Sequence, residues 1–357
     1  MLEDKINVTI VLPMPPELIE RVRSVSDRLD VTYLTKTQRH VYREGRPLWA
    51  GYPEEPIGDE ETEEEARGRL NEVLKHTHIL LSNPIVPDDI LERAPEVRMV
   101  QLTSAGADRL IDSELARSDR AKLVTASGLH ATPISEYVIG AMIAFAKGFP
   151  RAMQGQQERT WRPFLAKELE GSTVAVLGLG NIGRRVAELS KALGMRVIGM
   201  RRSADRRMTG EEAGETCFDE MLPTSDLLYA LGEADYIVLA MPLTDDSRHM
   251  IGEEQLRAMK PSAVIVNIAR GAVIDQEALV RALKEGRIAG AALDVTDPEP
   301  LPPDNDLWTA PNVMITPHIS GGTPRYMDRA IDIFVDNLQR YVADRELRNV
   351  VDPSRGY

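Results

Sequence analysis

The chain has 357 residues, with 43 Lys and Arg against 56 Asp and Glu for a net charge of −13, and it is 43% apolar and 28% charged. That length suits two domains with a core each, and the composition excludes a disordered or fibrous chain. An acidic balance spread over the sequence repels phosphate backbones and anionic headgroups, so neither nucleic acid nor a membrane surface is expected as a partner.

Cys217 is the single cysteine. It cannot form an intramolecular disulfide and offers no metal-ligand spacing, which suits a reducing compartment. The segment Met1-Leu2-Glu3-Asp4-Lys5 does not read as a signal peptide. The longest apolar run, Tyr137 to Ala146, is ten residues, about half of a bilayer span. A cytoplasmic protein without membrane segments is expected.

In the first third, strand-like runs at Val8–Leu12, Val31–Leu34, Ile79–Leu81 and Met99–Leu102 alternate with helical patterns over 16–29 and 60–75. That alternation implies a parallel, doubly wound sheet. Residues 54–65 hold eight acids in twelve positions and read as a solvated loop entering a helix, whose amino terminus favours negative charge. His76-Thr77-His78 offers two metal ligands but no third partner, so no metal site is expected.

Thr132 and Pro133 read as N-cap and first residue of a helix from Pro133 to about Lys147. Being apolar on nearly every side, that helix must be buried under another domain or in a subunit contact. Trp161 and Trp308 read as packing anchors. After residue 170 a second alternating series has six candidate strands: Thr173–Leu177, Arg196–Met200, 236–240, 263–268, 289–294 and 313–316. Six strands of this kind form a Rossmann-type domain. At the far end Ile331, Phe334, Val335, Leu338, Tyr341 and Val342 give one apolar stripe along a final helix.

Gly178-Leu179-Gly180-Asn181-Ile182-Gly183 follows the first strand of this series and opens a helix on which Ile182, Val186, Leu189 and Leu193 are spaced to face a core before Gly194. Glycines there let the backbone turn sharply and approach a pyrophosphate, while helix N–H groups receive the charge; the pattern in this context predicts dinucleotide binding. At the end of the second strand, where an NAD-specific domain carries an acid, stand Arg201, Arg202 and Ser203, with Arg206 and Arg207 beyond. Guanidinium and hydroxyl groups suit a ribose 2′-phosphate, so NADP(H) is expected over NAD(H), which stays possible.

Three polar residues follow later strands, where open α/β sheets gather ligands: Arg270 in Asn267-Ile268-Ala269-Arg270-Gly271, Glu299 in the segment from Asp294 to Pro300, and His318 in Thr316-Pro317-His318-Ile319-Ser320-Gly321. Arginine grips a carboxylate in bidentate fashion, histidine exchanges protons near neutrality, and a carboxylate beside it orients the ring.

With these motifs in this order from about Ser127 to Gly322, the sequence resembles the D-isomer-specific 2-hydroxyacid dehydrogenases. The resemblance implies an α/β architecture of two doubly wound parallel-sheet domains, in which a Rossmann cofactor domain (129–321) is inserted into a flavodoxin-like substrate domain (1–128 with 322–357). It implies hydride transfer between NAD(P)(H) and C2 of a small 2-oxo or 2-hydroxy acid, with Arg270 on the substrate, His318 exchanging the proton and Glu299 supporting His318. Asn181, Ile182, Ile268, Ala269, Asp294, Ile319, Ser320 and Gly321 match its remaining cofactor contacts, Asp294 at the nicotinamide carboxamide. It also implies a homodimer through the cofactor domains, with the apolar helix near the contact. Ser104-Ala105-Gly106, in weaker similarity, can point N–H groups at a substrate carboxylate. The segment 35–59, with Trp49 and Tyr52, looks longer than relatives need and either shapes substrate choice or is a surface loop. Glyoxylate or hydroxypyruvate is the first expected substrate. An NAD(P)H-sensing regulator, or a relative acting on phosphite or formate, stays open.

Overall fold

The computed structural model describes residues 5–46, 61–107 and 109–353; Trp49 and Tyr52 lie outside them. The chain forms two compact units, Met1–Leu129 with Pro324–Tyr357, and His130–Thr323.

The first unit runs β1 (Ile6–Ile10), α1 (Pro16–Arg23), β2 (Leu29–Tyr33), α2 (Lys36–Tyr42), α3 (Glu63–Lys75), β3 (Ile79–Ser82), α4 (Ile90–Arg93), β4 (Met99–Leu102) and β5 (Lys122–Val124). Among the described residues its five strands pair in parallel in the order β2-β1-β3-β4-β5, a flavodoxin-type winding. Helix α1 is shorter than the expected 16–29, because the Ser26 hydroxyl and carbonyl take the N–H groups of Arg28 and Leu29 and turn the chain into β2. Of the acidic run, Glu63, Glu64 and Glu65 occupy the first turn of α3, and Thr62 and Glu65 form a reciprocal capping box.

The second unit begins with α5 (Ala131–Ala146) and α6 (Phe149–Gln157), followed by β6 (Thr173–Leu177), α7 (Asn181–Ala192), β7 (Arg196–Met200), β8 (Met208–Thr209) and β9 (Glu220–Leu222). It continues with α8 (Leu227–Glu233), β10 (Tyr236–Leu239), α9 (Glu253–Ala258), β11 (Val264–Asn267), α10 (Gln276–Lys284), β12 (Gly290–Leu293) and β13 (Val313–Ile315). The sheet has eight strands, not six, in the order β13-β12-β11-β10-β6-β7-β9-β8, parallel except for β8 against β9. Apolar residues cover both faces of it, one layer centred on Ile198, Ile237 and Ile265, the other on Val176, Val197 and Val238.

Helix α5 starts two residues before the expected Pro133. His130 is its N-cap, without a side-chain cap bond, and Thr132 lies inside the first turn, where its carbonyl accepts the Ser135 hydroxyl. Val138, Ala141, Met142 and Ala146 are buried, packed with residues of α7 and the sheet, while Ile139 and Ile143 stay half-exposed. Trp161 does not pack within its own unit as expected: it is 95% exposed, and Leu165 is 99% exposed. Trp308 is 53% exposed, and its indole N–H donates to the Pro302 carbonyl.

The last helix, α11 (Tyr326–Val342), returns to the first unit, where Ile331, Phe334 and Leu338 are buried with Ile10, Leu12, Val22 and Leu81. Buried Asn337 donates to Gln101 and accepts the Arg348 N–H, and the chain then pairs with β5 through Val350 and Val351. Among the described residues no helix is long and apolar enough to cross a membrane.

Candidate active site

In the second unit β6 lies between β7, reached next in the chain, and β10, reached later; this is the topological switch point where open sheets form a crevice. Gly178, just past β6, has φ +103°, and a Cβ on it would sit 2.7 Å from the Ala240 carbonyl. A Cβ on Gly183 would meet the Gly178 carbonyl oxygen at 2.0 Å, whereas the space around Gly180 is open. The loop is therefore closed toward the protein at Gly178 and Gly183 and clear at Gly180, N-cap of α7, whose first residues are Asn181, Ile182 and Gly183. This is the shape a pyrophosphate requires.

Arg201, Arg202 and Ser203 follow β7 directly. Arg201 Nε is buried with no hydrogen-bond partner among the described residues, and the side chains of Arg202 and Ser203 are exposed. An orphaned buried guanidinium nitrogen fits an anionic ligand better than it fits water-free protein. Arg207 does not belong to the open patch: it is hydrogen-bonded to Asp226, and its guanidinium stacks 3.8 Å from the Tyr229 ring centre. Arg184 is likewise engaged, in a bidentate pair with Glu215 that holds that carboxyl below the usual carboxylate range.

Arg270 leaves the end of β11 on a turn held by buried Asn267, whose amide donates to the Arg270 carbonyl (3.0 Å) and accepts the Ala269 N–H (3.0 Å). A Cβ on Gly271 would lie 2.0 Å from the Thr296 carbonyl, so the turn presses on the chain leaving β12. Ile268 and Ala269 are buried beneath it.

His318 follows β13 and adopts φ +52°, a left-handed conformation that costs a non-glycine residue free energy. Its N–H bonds to the Asp294 carbonyl at 2.9 Å, and its Nδ1 lies 2.6 Å from Glu299 Oε1. Glu299 thereby fixes the ring and leaves Nε2 for chemistry; both side chains are partly exposed. Asp294, 1% exposed, organises the same loop: one oxygen accepts the Thr316 hydroxyl and the Ile319 N–H, the other the Ser320 N–H. Three donors leave a lone pair for a ligand amide. Gly321 closes the loop, its carbonyl 3.2 Å from His130 Nδ1. Tyr137, on α5, hydrogen-bonds the Thr316 hydroxyl at 2.8 Å, and burial pushes its phenol up. The sequence gives no sign of that contact, which spans 179 residues.

In the first unit Ser104, Ala105 and Gly106 follow β4. The carbonyls of Thr103, Ser104 and Gly106 accept from the Tyr326 hydroxyl (2.7 Å), the Ala126 N–H (2.8 Å) and the Ser104 hydroxyl (2.7 Å). Among the described residues the N–H groups of Ser104, Ala105 and Gly106 find no acceptor. Three carbonyls are thus held by protein donors, while three successive amides are left for another acceptor.

The model of the D-isomer specific 2-hydroxyacid dehydrogenase NAD-binding domain matches residues 139–320. Glyoxylate reductase of Aeropyrum pernix is 37% identical over 74% of this chain and 79% of its own length. D-3-phosphoglycerate dehydrogenase of Methanocaldococcus jannaschii is 36% identical over 79% of this chain, which spans only 53% of that relative. A D-isomer specific 2-hydroxyacid dehydrogenase family protein from Aeromonas salmonicida superposes over 98% of this chain and 100% of its own, with TM-score 0.70 and 27% identity. This chain belongs to the D-isomer specific 2-hydroxyacid dehydrogenases, NAD(P)-dependent oxidoreductases, and 139–320 lies in its NAD-binding domain.

Proposed function

We propose that this protein reduces small 2-oxo acids of the glyoxylate or hydroxypyruvate type with NADPH as preferred cofactor. The observation that carries the reading is the 2.6 Å Glu299–His318 pair on the same end of the sheet as Arg270 and the glycine loop. Gly178, Gly180, Asn181, Ile182 and Gly183 would hold the pyrophosphate, Arg201, Arg202 and Ser203 the ribose 2′-phosphate, and Asp294 the carboxamide. Ile268, Ala269, Ile319, Ser320 and Gly321 would enclose the nicotinamide end. When bound, NADPH supplies the hydride that adds to C2 of the substrate. Arg270 grips the carboxylate and the carbonyl oxygen, drawing electrons from C2. His318 delivers the Nε2 proton to that oxygen as it becomes a hydroxyl, while Glu299 accepts the Nδ1 N–H and offsets the charge on the doubly protonated ring. The free amides of Ser104, Ala105 and Gly106, in the first unit, would serve as donors to a substrate carboxylate.

Turnover of NADPH with a panel of 2-oxo acids tests the activity, and its absence with every acid overturns it. In the double variant R201A/R202A the KM for NADPH is expected to rise about 10–100-fold, the size of one or two charge-assisted hydrogen bonds, with that for NADH little changed. Equal affinity for both nucleotides, insensitive to these substitutions, defeats the NADP(H) preference.

A homodimer through the second unit belongs to the same reading. Phe149, Met153, Trp161 and Leu165 are more than half exposed along α6 and the chain after it, a stretch of large apolar side chains that calls for a partner surface. Light scattering is expected to give twice the chain mass, falling to one chain mass in W161E/L165E; a wild-type monomer at micromolar concentration refutes the dimer.

A further inference from the structure

We infer that Tyr326 is a positioning residue for substrate recognition: its hydroxyl, donated to the Thr103 carbonyl, holds the 104–106 loop in the conformation whose amides face a carboxylate. The inference rests on the proposed role of that loop and adds a residue to it. Tyr326 is the first residue of α11, three positions into the segment that re-enters the first unit, and 223 residues from Thr103 in sequence.

The geometry singles out this bond. Thr103 is buried, and its N–H continues the sheet by donating to the Ser82 carbonyl at 2.9 Å, so its amino side is fixed by β3. Its carbonyl lies past the last ladder pair of β4, at Leu102, and accepts the phenol at 2.7 Å. The direction of that carbonyl sets the plane of the Thr103–Ser104 peptide, and with it where the Ser104 N–H points. The next constraint comes from Ala126, whose N–H takes the Ser104 carbonyl, and a third from the Ser104 hydroxyl on the Gly106 carbonyl. Two of the three are local or backbone in origin. Among the described residues the Tyr326 bond is the one that brings a side chain from another element, and its ring also packs in the small cluster of Ala105, Ala126, Leu129 and Ala330. Without the hydroxyl, the Thr103 carbonyl of this half-covered loop can rotate toward water or the ligand space, where a carbonyl oxygen repels a carboxylate.

The test compares a 2-oxo acid with its uncharged methyl ester, glyoxylate and methyl glyoxylate, in wild type, Y326F and G106P. Y326F removes only the hydroxyl and keeps the packed ring; G106P deletes one loop amide. In Y326F, KM for glyoxylate is expected to rise about 5–10-fold, as for one hydrogen bond, with kcat within twofold, NADPH affinity unchanged and the ester hardly affected, so that acid-over-ester preference falls by the same factor. Unaltered preference in Y326F beside a reduced one in G106P overturns the inference alone, and so does equal loss on acid and ester, which marks a merely structural role. Unaltered preference in G106P overturns the loop reading itself, and with it this inference.

Discussion

Replacing His318 by alanine is expected to lower kcat for 2-oxo acid reduction by about 10²–10⁴-fold, the usual contribution of a positioned proton donor, with NADPH affinity within a few-fold of wild type. The size follows from how little else in this loop can supply the proton. Asp294 is buried, holds three donors and faces the carboxamide with what remains, and Glu299 is spent on Nδ1. The loop keeps its shape without the imidazole, because the Asp294 carboxylate holds Ile319 and Ser320 and its carbonyl holds the 318 N–H through the backbone. E299Q should fall between wild type and H318A: an amide oxygen can still accept from Nδ1 but brings no charge to balance the ring. Steady-state rates of NADPH oxidation at saturating cofactor decide the matter, and H318A turnover within a few-fold of wild type would remove His318 from the chemistry.

R270A is expected to reduce kcat/KM by about 10²–10³-fold, from roughly 3–4 kcal/mol of lost charge-assisted hydrogen bonding to carboxylate and carbonyl oxygen. Part of the loss should appear in kcat, since the contact to the carbonyl oxygen strengthens as negative charge develops there. R270A also removes the bond from the Arg270 guanidinium to the Ala269 carbonyl (2.7 Å), but Asn267 still grips the backbone at 269 and 270 and Gly271 still sets the approach to Thr296. R270K should recover little, because an ammonium cannot match the two-pronged geometry. Kinetics of both variants with glyoxylate and hydroxypyruvate, alongside circular dichroism to check the fold, measure this. Unchanged kcat/KM in R270A removes Arg270 from substrate binding.

Long elements with strong local signals were legible from the residues. β6 and β7 span the expected 173–177 and 196–200, and Gly194 at φ +75° follows the end of α7 as a C-terminal glycine should. β5, β8 and β9 escaped because three or two residues carry no readable period, and they exist only by pairing with neighbours. The first turn of α5 was misplaced because Thr132, a good cap in isolation, serves as acceptor for Ser135 instead. Arg207 could be counted with the basic patch in the sequence, yet Asp226 and Tyr229, 19 and 22 positions on, take it away. Trp161 shows the opposite case: a large aromatic was expected to pack, and among the described residues it is left 95% exposed.

The sequence by itself determined the two alternating series of strands and helices, the glycine turn, the missing acid and the arginines after β7, because backbone freedom, periodicity and charge are properties of neighbouring residues. Only the tertiary structure decided which groups meet across long stretches of chain: Tyr137 with Thr316, Tyr326 with Thr103, Asn337 with Gln101. Such contacts depend on strand order and on where a helix lands on a sheet, and hydrogen bonds that form or fail within a few tenths of an ångström are not written in any local pattern.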